Sequence, residues 1–104
     1  MEKYEKRLEK EEWGELYNKE QVKQVIDAVV SDQVYCWTEE LLNITNEGDK
    51  LCEVGCGSGQ SAAYLQRHGR KVTALDFSDE CVELVKLVSK ELELNMEVVC
   101  ADAT

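Results

Sequence analysis

The residues best suited to chemistry in this 104-residue chain are three acids and a run of glycines. Glu53-Val54-Gly55-Cys56-Gly57-Ser58-Gly59 joins an acid to a bend in which every second residue lacks a side chain. Asp76 closes the stretch Val72-Thr73-Ala74-Leu75, and Asp102-Ala103 follows Val98-Val99-Cys100-Ala101. Glycines between a strand and a helix let backbone approach a ligand closely and reach positive φ angles. A carboxylate meets a cation or accepts a hydrogen bond from a hydroxyl or amine, and it repels a pyrophosphate. Acids placed around a glycine bend therefore suit a ligand rich in cationic, hydroxyl and amino groups.

Those residues need elements to position them, and the pattern from Lys50 onward supplies these. Leu51–Val54 reads as a short strand, Gln60–His68 as a helix ended by Gly69, and Lys71–Leu75 as a second strand. Ser78 then caps a helix reaching about Glu93, with Asp79 and Glu80 in its first turn, and Met96–Cys100 forms a third strand after Asn95. Strand, helix, strand, helix, strand implies a parallel sheet, because parallel neighbours need a long connection and a helix provides it. The three acids then lie at the carboxyl ends of successive strands, where open α/β sheets bind ligands.

Ahead of this lie two predicted helices. Asn18-Lys19-Glu20-Gln21 has the spacing of a capping box, and Val22, Val25, Ile26, Val29 and Val30 repeat along one face behind it. After Ser31-Asp32 the helical period resumes through Val34, Trp37, Leu41, Leu42 and Ile44, until Asn46-Glu47-Gly48-Asp49 turns the chain. The opening, Met1 to about Glu12, is dense in Glu and Lys and reads as a solvated helix or a frayed tail. The expected organisation is a single domain over 1–104, with a helical extension at 1–48 and an α/β half at 49–104.

The glycine bend separates two cofactor classes. Dinucleotide-binding proteins favour a third glycine three residues after the second, and that position here is Gln60. Glu53-Val54-Gly55-Cys56-Gly57-Ser58-Gly59 instead resembles the first motif of class I, Rossmann-like methyltransferases that use S-adenosylmethionine (SAM). Val72–Asp76 and Val98–Ala103 resemble that family's next two strand-end motifs, so the likeness covers roughly residues 50–104. It implies a three-layer Rossmann-like α/β fold, present here as a partial sheet of about three strands. It implies SAM as cofactor, with Glu53 near the methionine end and Gly55, Cys56, Gly57 and Gly59 along the methionine and ribose. Asp76 would take the ribose hydroxyls, Phe77 would pack on the adenine, and Asp102 with the Ala103 backbone would read the adenine edge. No catalytic residue is named, because in-line methyl transfer relies on alignment and the family's catalytic groups lie further along the chain. Two other readings stay open: a nicotinamide-dinucleotide-binding oxidoreductase half, and a non-catalytic module that binds SAM or a protein.

Composition narrows the partners. A net charge of -10 opposes a phosphate backbone at long range, so this segment is a poor fit for nucleic acid, and the methyl acceptor stays unassigned. No apolar run approaches the roughly 20 residues that span a bilayer, and the charged start lacks a signal core, which points to a cytoplasmic protein without a membrane. Five cysteines without a C-x-x-C pair, and a single histidine, His68, argue for free thiols and no metal site. His68, just ahead of Gly69, reads as a solvated residue in a last helical turn. By the family's strand order the first strand is central, so its far edge is left unpaired here. Such an edge invites self-association or cover from the N-terminal helices.

Overall fold

A computed structural model describes residues 10–101, with side chains from residue 19 onward. Most of the charged opening, Asp102 and Ala103 lie outside the described residues. In chain order the elements are α1 (Lys10–Val30), α2 (Cys36–Ile44), β1 (Lys50–Val54), α3 (Gln60–Arg67), β2 (Lys71–Asp76), α4 (Asp79–Glu91) and β3 (Glu97–Cys100).

The helix expected to begin at Asn18 is already formed at Lys10, the first described residue, and runs through Asn18 without interruption. A capping box acts only where the preceding chain is not helical. Here Glu, Lys and Leu carry the helix upstream, against roughly 1 kcal/mol lost at Gly14. It ends where Asp32 takes a left-handed φ of 58° and Gln33 donates back to the Ala28 carbonyl at 2.8 Å. Helix α2 starts at Cys36, two residues later than the apolar period suggests. Tyr35 is extended at φ -69° and ψ 149°, and Val34 packs into the core from the loop.

The sheet is parallel, in the order β1-β2-β3. Register pairs Leu51 with Val72, Glu53 with Ala74, and Ala74 with Val98, so these residues share one face with Asp76. Both crossover helices pack on that face. Ala62, Tyr64 and Leu65 of α3, Val85 of α4 and Met96 form a buried cluster with Val72 and Ala74. Helix α1 adds an outer layer, setting Val22, Val25 and Val29 against Ala63, Leu84 and Val88. The layers therefore run sheet, α3 with α4, then α1, and the opposite sheet face, with Cys52, Val54, Leu75 and Val99, carries no helix among the described residues.

Helix α2 packs beside α3 and flanks β1, with Trp37 and Leu41 facing the same cleft as Leu51. Arg70 fixes its far end by donating to the Leu42 and Thr45 carbonyls at 2.8 and 2.6 Å, acceptors that a helix end otherwise leaves open. A hydrogen bond of 3.0 Å between the buried Thr38 and Ser61 hydroxyls joins it to the first turn of α3.

Gly59, the residue ahead of α3, has φ 77°, and a Cβ there would sit 2.7 Å from a Val85 methyl, whereas a Cβ on Gly57 (φ 56°) would meet nothing within 4 Å. Gly57→Ala should cost only the left-handed backbone penalty of about 1–2 kcal/mol. Gly59→Ala should add about 1–3 kcal/mol of overpacking. Urea unfolding of the two variants checks this; equal losses would mean that the Val85 contact is relieved at no cost.

Candidate functional site

After Val54 the chain turns through Gly55, Gly57 and Gly59, all at positive φ, into α3. The turn is attached to the next strand: the amides of Gly55 and Cys56 both donate to the Leu75 carbonyl, at 2.7 and 3.1 Å. A Cβ on Gly55 or Gly57 would meet open space, so bare backbone faces outward there.

Asp76 holds this arrangement together. It is 6% exposed, and its two oxygens accept from different segments: Oδ2 from the Gly57 amide at 3.1 Å, Oδ1 from the Ser78 amide at 3.0 Å. Ser78 in turn caps α4, its hydroxyl accepting from the Cys81 amide at 3.3 Å. The Ser78 amide, then that of Gly57, holds the Asp76 carboxyl below its ordinary range despite burial. Each carboxylate oxygen keeps a second lone pair for a further donor.

Glu53 differs. It lies on the same sheet face, half-buried, and its Oε1 is buried with no hydrogen-bond partner among the described residues. Burial raises its pKa above the usual glutamate value, an effect the nearby Ala62 amide only partly opposes. An acceptor sequestered in this way calls for a donor, and a cationic one most of all.

The remaining sequence candidates divide. Cys56 is buried in the core cluster, its amide donated to Leu75 and its carbonyl accepting from Gly59 at 2.9 Å, and burial followed by the charges of Asp76 and Glu53 pushes its thiol up to about 11. It acts as a small apolar residue beneath the turn. Phe77, beside Asp76, is 79% exposed and offers a bare ring at the strand end. The Ala101 amide donates to the Asp76 carbonyl at 3.0 Å, which extends the β2–β3 pairing past Cys100. Asp102 and Ala103 follow directly but lie outside the described residues.

Two findings go beyond the sequence reading. Trp37, Leu41, Glu53, Val54 and Gly55 share a cleft of about 480 Å³, and the Gln60 side-chain amide donates to the Gln33 carbonyl, so the α1–α2 loop reaches the glycine turn. Asp76 and Phe77 do not line that cleft. His68 is not a freely solvated residue: it is half-buried, its Nδ1 lies 2.9 Å from the Tyr64 carbonyl, and its ring sits 4.3 Å from that of Tyr64. No cluster of three potential metal ligands occurs among the described residues, and no described helix is long and apolar enough to cross a membrane.

Because the folded pKa of Asp76 is depressed, its stabilisation is fully present above the unfolded value near 3.9 and disappears as pH falls through the folded value. Asp76→Asn should therefore be less stable than the parent at pH 7, with the gap closing as pH drops below about 4. Circular-dichroism melts across that range check it. A gap independent of pH would assign the loss to packing alone.

Comparison with known proteins gives these residues a context. A family model described as a methyltransferase domain matches residues 51–104, just over half the chain. The ubiquinone biosynthesis O-methyltransferase of Coxiella burnetii is 34% identical over 59 residues, 57% of this chain and 25% of that protein. The S-adenosyl-L-methionine-dependent Diels-Alderase iccD of Talaromyces variabilis is 38% identical over 47 residues, 45% of this chain and 16% of that protein. This chain thus spans a quarter or less of the length of these relatives. The crystal structure of the [4+2]-cyclase SpnF superposes with a TM-score of 0.60 at 20% identity, covering 86% of this chain and 42% of that one. The parallel sheet with its crossover helices agrees with these matches, and the chain belongs to the methyltransferase domain family, with the class I Rossmann-like fold.

Proposed function

We propose that this chain is the SAM-binding part of a methyltransferase whose acceptor is bound largely by residues outside it. The observation that carries the reading is the buried, unpartnered Oε1 of Glu53 beside a glycine turn whose backbone faces open space. SAM carries an ammonium and a sulfonium cation, two ribose hydroxyls and an adenine amine, so its donors suit acids on neighbouring strands. Glu53 takes the ammonium directly or through water. The bare backbone of Gly55 and Gly57 lets the methionine and ribose lie close, with Gly59 setting the turn. Asp76 offers its free lone pairs to the ribose hydroxyls while its amide contacts hold the turn in shape. Phe77 covers the adenine, and Asp102 with the Ala103 amide reads its edge.

When bound, SAM supplies an activated methyl group, transferred by in-line displacement at carbon. The contribution of this chain is positional: it fixes the direction in which the methyl group points, and alignment of that kind can lower a barrier by roughly 7–11 kcal/mol. The SAM-dependent Diels-Alderase among the relatives supports a second reading, in which SAM is held and not consumed. A nicotinamide dinucleotide suits the site less well, since its pyrophosphate would approach Glu53 and Asp76. The five free thiols favour a reducing, cytoplasmic setting.

Calorimetry should show SAM and S-adenosylhomocysteine binding and no NADH binding; the reverse would overturn the assignment. Glu53→Gln should weaken SAM by about 10–100-fold, the value of a charge-assisted hydrogen bond of roughly 1.5–3 kcal/mol. The same variant should melt higher than the parent at pH 7. A raised pKa means that the stability of the protonated form is present below the unfolded value and lost as pH rises through the folded one. Unchanged affinity with a lower melting temperature would make Glu53 a structural residue. For the open edge of β1 we propose self-association, and a single monomeric species by light scattering at high concentration would remove it.

A further inference from the structure

Tyr35 and Trp37 are 60% and 46% exposed, yet their rings lie parallel, 7° apart in plane and 6.1 Å between centroids. Two stacked aromatic rings left largely in water form a joined apolar surface with a polar tip on each ring. Their position is fixed from three sides: Thr38 bonds Ser61, Val34 packs into the core, and Gln60 holds the Gln33 carbonyl. Helix α2 leads through a short loop into the start of β1, so its first turn lies at the carboxyl end of the sheet, where Trp37 shares the cleft with Leu41, Val54 and Gly55.

We infer that the Tyr35–Trp37 pair is one wall of an acceptor site for a flat, uncharged aromatic ring. The geometry suits a ring, since two parallel aromatic faces extend a stack that a further flat ring can join offset, while a branched or puckered group gains little. Charge selects further. Asp32 and Glu39 adjoin the pair in sequence, Glu53 lies in the same cleft, and the chain carries -10, so a carboxylate or phosphate on the ring is repelled. This deepens the proposed function and rests on it: a planar group held beside Gly55 presents a ring hydroxyl or amine to the methionine end of the cofactor.

The test uses p-cresol as a neutral probe, benzoate and cyclohexanol as controls, and tryptophan fluorescence as readout, with and without S-adenosylhomocysteine. p-Cresol should quench saturably while benzoate and cyclohexanol do not. Trp37→Leu should abolish the response, Tyr35→Leu should weaken it about five- to tenfold, and Trp37→Phe, followed by proton NMR of the cresol ring, should retain binding. Calorimetric affinity for S-adenosylhomocysteine should stay within about twofold in all three variants. Cresol binding that ignores the substitutions, or that benzoate and cyclohexanol match, overturns the acceptor site. A parallel loss of S-adenosylhomocysteine affinity also overturns it, making the rings a cofactor cover. Failure of the unsubstituted protein to bind S-adenosylhomocysteine refutes the cofactor reading instead, and the ring site then stands or falls on the cresol titration alone.

Discussion

The carboxylate of Asp76 is the interaction on which the site depends. A single buried charge accepts one amide from the glycine turn and one from the start of α4, so it fixes where β1 turns and where the second crossover begins. Few side chains could do this. A longer acid would overreach a bond to an amide two residues away, and an amide side chain would offer one acceptor where two are used. Burial normally penalises a carboxylate, but two donors at about 3 Å reverse the balance, which is why its pKa falls although solvent is nearly excluded.

Glu53 shows the opposite balance on the same sheet face. Its environment penalises charge without offering a sufficient partner, and its cost falls on the protein whenever no donor is present. The two acids therefore stand in opposite states within one sheet face. One is satisfied within the fold and keeps spare lone pairs; the other has a buried oxygen that no described residue satisfies.

Much of this was legible in the sequence because it depends on local chemistry. Ser78 followed by two acids announces a capped helix, alternation in Val72–Asp76 announces a half-covered strand, and three glycines within five residues announce a turn that side chains cannot make. What escaped depends on the third dimension. The Asn18 motif has the spacing of a cap but no break in the helix before it, so the chain passes through it. Trp37 looked like one more apolar residue of a covering helix, since period alone does not say that its ring stays in water. The orphaned oxygen of Glu53 reflects burial, and the seat of His68 against Tyr64 reflects a helix end that folds back on itself. Neither has a signature in residue types.

The contact between Gly59 and Val85 carries a consequence beyond local stability. The glycine turn rests on the middle of α4, where the bare backbone of Gly59 meets the Val85 side chain so closely that no Cβ fits between them. The height of the bend is thereby governed from beneath: a bulkier residue at position 85 would lift it, and a smaller one would let it sink. Under the proposed function, the fit of the cofactor is set in part from beneath the turn, at Val85.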